Sequence, residues 1–124
     1  MNSSSPFKGK TGIKRVLNAT GYSFSGFKAA FQNEAAFRQI VYINLILIPI
    51  SFYLNVSRIE QALMITVCLL AMIVELFNSA IEAVVDRISL EHHQLSKIAK
   101  DMGSAAQFVA LCIIVISWAI ILIH

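Results

Sequence analysis

Three carboxylates interrupt one apolar stretch of the chain: Glu75, Glu82 and Asp86, accompanied by Asn78 and Ser79. At 100° per residue, Glu75, Asn78, Glu82 and Asp86 fall within an arc of about 80°, a single helical face. An ionisable side chain inside an apolar span costs free energy unless it is paired, hydrated or ligating, so such a face reads first as functional. Acids with no His or Cys partner in the span suit a hard cation such as Mg²⁺, bound through carboxylate oxygen. Lys and Arg beside them suit phosphate groups. The chain has no P-loop and no kinase-type glycine-rich loop, so any nucleotide must be held by side chains.

The elements that position these groups follow from hydropathy. Residues 1–12 are short polar, Gly, Ser and Lys types, a flexible tail. They lack the apolar h-region of a secretory signal, and the mature chain is expected to be the whole chain. Over 13–36, Ile13, Val16, Leu17, Phe24, Phe27, Ala30 and Phe31 recur largely at spacings of three and four, with Lys14, Arg15, Asn18, Ser25, Lys28 and Gln32 between them. An aromatic-rich stripe beside a basic one predicts an amphipathic helix lying in a membrane–water interface. Gly21 and Gly26 weaken it as one rod, and a break is expected near residues 19–21.

Three apolar stretches follow, at 37–54, 61–88 and 105–123. The first spans about 27 Å as a helix, close to the hydrocarbon thickness of about 30 Å. Pro49 is expected to kink or end its last turns. The second is longer than one crossing, and 55–60 is a short linker. The composition requires a membrane: apolar residues make up 57% of 124 and charged ones 14%, too few to cover a compact aqueous surface. Cys68 and Cys112 both lie in apolar runs and read as small buried hydrophobes.

Basic residues set the orientation. Lys8, Lys10, Lys14, Arg15, Lys28 and Arg38 precede or open the first span, and Arg87, Lys97 and Lys100 lie between the second and third. Only Arg58 falls between the first two, which predicts a cytoplasmic N-terminus and a C-terminus outside. Counted inward from Gln61, Glu75 then lies about 21 Å deep and Glu82 about 31 Å deep, near the cytoplasmic interface. Asn33, Glu34, Arg38 and Gln39 at the start of the first span, and Lys100 and Asp101 just before Gly103-Ser104 at the start of the third, reach the same layer. Structural alternatives stand beside these readings. Glu75 and Glu82 could serve an interhelical hydrogen bond, Glu34 and Arg38 an i,i+4 ion pair, and Lys100 and Asp101 simple loop solvation. Asn44 reads as a helix–helix contact, and Tyr42, Tyr53 and Trp118 as interfacial anchors. His92 and His93 read as loop residues.

The motifs NEAAFRQ at 33–39, ELFNSAIEAVVDR at 75–87 and AKDMGSAA at 99–106 strongly resemble the prokaryotic diacylglycerol kinase family, in its order and spacing, from about Arg15 to the C-terminus. The resemblance implies an all-α integral membrane homotrimer with three transmembrane helices per chain and an N-terminal surface helix. It further implies a kinase of the bacterial inner membrane that transfers the γ-phosphoryl of MgATP to diacylglycerol, with active sites shared between protomers and no nucleic-acid partner. By position, Glu75 resembles the general base, with Asn78 helping to orient that region, and Glu34 and Glu82 the carboxylates that hold Mg²⁺. Lys100 resembles the phosphate-binding lysine, and Glu91, His93 and Asp101 fall in the segment that approaches the nucleoside. Arg15 and Tyr22 match surface-helix positions near nucleotide and lipid, and Ser104 and Trp118 match positions lining the lipid region. The chain departs from the usual family pattern at Asn18, Phe24, Ser25 and Ile40, none of them a central carboxylate.

Two other functions compete with a diacylglycerol kinase. One is an undecaprenol kinase of the same family, because the motifs fix the phosphoryl donor better than the acceptor. The other is a non-enzymatic oligomer whose acids line an ion path.

Overall fold

The computed structural model describes residues 12–88 and 93–123 and is all-helical in four pieces: α1 (Gly12–Asn33), α2 (Ala35–Tyr53), α3 (Arg58–Ile88) and α4 (Gln94–Leu122). The last three are long and apolar enough to cross a membrane, which makes this a multi-pass membrane protein. They run antiparallel in sequence, α2 and α4 each lying against α3. Met64, Val67, Cys68 and Ala71 of α3 meet Ala110, Ile114, Trp118 and Ile121 of α4, with Ile40 of α2 added on the other side. Cys68 is fully buried, as its apolar setting predicts.

α1 runs unbroken from Gly12 to Asn33, correcting the expected interruption at 19–21. Each interior glycine costs about 1 kcal/mol, but it keeps both backbone groups for the i→i−4 ladder, so it weakens the helix without stopping it. What stops α1 is Glu34, whose extended backbone (φ −122°, ψ 110°) separates it from α2. Arg38 caps the break: its Nη1 donates to the carbonyl oxygens of Phe31 at 2.7 Å and Gln32 at 3.3 Å, groups left over at a helix C-terminus. The alternative i,i+4 pairing with Glu34 is not the one Arg38 makes. Phe27 stacks on Phe37 and Phe31 meets Tyr42 edge-on, tying α1 to α2. The remainder of α1 is almost wholly exposed, Ala30 alone being buried.

Two boundaries differ from the hydropathy reading. α3 begins at Arg58, inside the expected 55–60 linker, because Ser57 and Glu60 form a reciprocal cap: Glu60 Oε1 accepts from Ser57 N at 2.8 Å and Ser57 Oγ accepts from Glu60 N at 3.1 Å. α4 begins at Gln94 rather than 105, so Lys100 and Asp101 lie on helix and not in a loop. α2 continues through Pro49 to Tyr53, where Ser51 Oγ donates to the Ile48 carbonyl at 2.7 Å. Asn44 is buried in the bundle, as expected of a contact residue, yet neither atom of its carboxamide has a partner.

Candidate functional site

Polar residues tie α3 to α4 in three rungs at one end of the bundle. In the innermost rung, Glu75 is 2% exposed and Gln107 Nε2 donates to its Oε1 at 3.0 Å. Ser79 Oγ, one turn further along α3, donates to Glu75 Oε2 at 3.3 Å. In the second rung, Asn78 lies over Gly103, which is buried inside α4 rather than marking its start. A Cβ on Gly103 would overlap Asn78 Oδ1 and lie 3.1 Å from its Cγ, so the missing side chain lets the two helices meet there. Asn78 Oδ1 is buried without a partner. In the outermost rung Lys100 Nζ pairs with Asp86 at 2.7 Å, both half-exposed. Such a solvent-screened pair adds little and can exchange partners readily.

Glu34 and Glu82 form the second feature. The α1–α2 break places Glu34 beside α3, where its carboxyl lies close to that of Glu82. Both are half-buried. Next to them lies a cleft of about 320 Å³ between α1 and α3, lined by Asn33, Glu34, Ser79 and the small residues Gly26, Ala30 and Ala83, among others. Two ionised carboxylates at this range repel, and a divalent cation between them converts the repulsion into binding. The donors are all hard oxygens. No group of three or more His, Cys, Asp or Glu is placed to hold a metal among the described residues. The pair therefore fits an ion such as Mg²⁺ that keeps water or phosphate oxygens on its remaining positions, and does not fit a metal needing a full protein cage.

The other candidate residues are placed as follows. Arg15 and Tyr22 are exposed on α1. His93 is the N-cap of α4, its Nδ1 accepting from Leu95 N at 3.1 Å. Asp101 pairs with Lys97 at 2.7 Å on the outer face of α4. Ser104 is exposed, and Glu91 lies outside the described residues. Trp118 is not brought to the carboxylates. It is buried, and its Nε1 donates to the Met64 carbonyl at 3.3 Å, about 16 Å along α3 from Glu75. This corrects its reading as an interfacial anchor: the indole packs between helices because that carbonyl gives its N–H a partner. Gln107 and Gly103 went unread in sequence as parts of the site. Gln107 carried one available signal, being the only amide in the third apolar stretch.

Fold and site together define a small all-helical, multi-pass membrane protein with carboxylates gathered at one end of the bundle. A family profile described as prokaryotic diacylglycerol kinase matches residues 21–122. Three relatives, each named diacylglycerol kinase, are similar over nearly the whole chain. The Pseudomonas aeruginosa protein is 71% identical across 98% of both chains. That of Haemophilus influenzae is 53% identical over 90% of this chain and 95% of its own, and that of Escherichia coli 52% identical over 90% and 92%. The chain belongs to the prokaryotic diacylglycerol kinase family and is an enzyme, a membrane-embedded kinase.

Proposed function

We propose that this chain phosphorylates diacylglycerol to phosphatidic acid, with MgATP as donor, at the cytoplasmic face of the bacterial inner membrane. The observation that carries the reading is the Glu34–Glu82 carboxylate pair beside a cleft whose wall includes Ser79, the residue hydrogen-bonded to buried Glu75. The names of the three relatives support the acceptor. In this reading the N-terminus is cytoplasmic and the C-terminus periplasmic, as the distribution of basic residues favours.

Glu75 takes the proton of the lipid's primary hydroxyl, and that oxygen bonds to the γ-phosphorus as the bond to ADP breaks. Glu34 and Glu82 would hold Mg²⁺, which would supply neutralisation of phosphate charge. Lys100 leaves Asp86 to meet the phosphates, while Asn78 orients the region around the base. We assign Arg15, Tyr22, His93 and Asp101 to the nucleotide, and Ser104 and Trp118 to the lipid. Phosphoryl transfer asks mainly for positioning and charge neutralisation, which these groups supply. Diacylglycerol is already dissolved in the bilayer, so its hydroxyl reaches headgroup depth without a soluble pocket. We also assign the functional unit as a homotrimer with sites completed between neighbours.

The purified protein, given MgATP with diacylglycerol or with undecaprenol, is expected to phosphorylate diacylglycerol faster; the reverse order would make it an undecaprenol kinase. Glu75→Gln is expected to insert and assemble normally while losing about 10²–10⁴-fold in kcat, the usual contribution of a general base.

A further inference from the structure

Gln107 lies one turn beyond Gly103 on α4 and is 8% exposed. Its Nε2 donates to Glu75 Oε1 at 3.0 Å and to the Ala71 carbonyl oxygen at 3.3 Å, while its own Oε1 is buried with no partner. Both atoms facing Nε2 are acceptors, so exchanging the amide's nitrogen and oxygen would set oxygen against oxygen. The orientation of the amide is thereby fixed. A methionine of similar length would fill the space without burying an unpaired carbonyl oxygen, a costly group to desolvate. The amide therefore has a use beyond packing, and the groups it serves are the carboxylate of Glu75 and the backbone one turn before it.

We infer that Gln107 is a positioning residue for the reaction. It anchors Glu75 Oε1 against α4 and leaves Oε2 as the oxygen that accepts the proton. The inference rests on reading Glu75 as the general base. Because the amide grips both the carboxylate and the Ala71 carbonyl, Glu75 cannot swing without stretching one of the two bonds. Oε2 by contrast is held only by Ser79, at the longer distance of 3.3 Å, and Ser79 stands on the wall of the cleft. A hydroxyl arriving there meets the freer oxygen of a carboxylate whose other oxygen is already fixed.

The test uses the full-length protein in lipid with MgATP and diacylglycerol. Gln107→Met is expected to lower kcat about tenfold to a hundredfold, the worth of one buried hydrogen bond to a charged group. The KM for each substrate should stay within about twofold, because the amide touches neither of them. In parallel, the infrared difference between wild type and Glu75→Gln isolates the Glu75 carboxylate stretch, and that band should move in the Gln107→Met background. An unchanged kcat, a loss confined to KM, or a band that stays put would each overturn the proposal. Should Gln107→Met not insert, the side-chain amide NMR signals of Gln107 in wild type and in Glu75→Gln answer the same question, and identical signals would overturn it. Full turnover by Glu75→Gln would instead overturn the general-base reading. An inactive Glu75→Gln beside a fully active Gln107→Met would sink the positioning role alone.

Discussion

Glu75 and Glu82 share a helical face but not an environment. Glu75 is sealed between α3 and α4 by Gln107 and Ser79, whereas Glu82 faces Glu34 beside an open cleft. One carboxylate is thus kept from water and the other left beside open space, the difference in setting that the proposed base and the proposed metal ligand would need. Glu82→Gln is expected to raise the Mg²⁺ concentration for half-maximal activity about tenfold or more while sparing the fold, checked by metal titration of the purified enzyme. Gly103→Ala tests the neighbouring rung. The added methyl overlaps the Asn78 carboxamide, so Asn78 must turn or the helices must part, at a cost of about 1–3 kcal/mol. Thermal unfolding should show that loss, with kcat falling as well. Removing the obstructing amide in Gly103→Ala/Asn78→Ala should recover stability but not turnover, since the two residues are coupled. The acids were legible in the sequence because a charge in an apolar run is conspicuous. Gly103 was not, because a glycine before a span looks like a boundary until the facing side chain is known.

The helices were legible as elements, their ends much less so. Hydropathy locates the part of a helix that lipid or core covers, and it is silent about turns that continue into the polar layer. α4 therefore started earlier than its apolar stretch, and Lys100 and Asp101 moved from loop to helix. On a helix these adjacent residues point about 100° apart, which explains why Lys100 reaches across to Asp86 while Asp101 turns back to Lys97. The start of α3 did have a written signal in Ser57-x-x-Glu60, passed over because the apolar pattern begins only at 61. Ser57→Ala removes an acceptor from the first turn and should lower stability by about 0.5–2 kcal/mol, measured by unfolding in detergent, with the kcat of the folded fraction unchanged. The unbroken α1 has the opposite origin, since glycine reduces helix stability without forbidding it. Arg38, the cap of α1, was read in sequence as a phosphate partner or as half of an ion pair. Its use became visible only once the break at Glu34 brought the carbonyls of Phe31 and Gln32 within its reach.

Assembly is decided by what one chain leaves open. A single chain already buries Glu75, which α4 shields through Gln107. The Glu34–Glu82 pair differs, since the cleft beside it is open and edged with glycine and alanine, side chains small enough to admit another helix closely. In the proposed trimer, that opening is where a neighbour completes the site. The distance along α3 bears on the same point, because Glu75 and Glu82 are separated by about 10 Å of helix rise, and a base that serves phosphates held at Glu82 can come from either chain. Mixing Glu75→Gln chains with Glu82→Gln chains before reassembly separates the cases. If base and metal ligand come from different protomers, every mixed trimer holds one intact site and activity returns from two inactive preparations. If both come from one chain, no mixture contains an intact site and activity stays at the level of the separate variants. We expect recovery, together with a trimeric mass for the wild-type protein in detergent; a fully active monomer would show that the open cleft needs no neighbour at all.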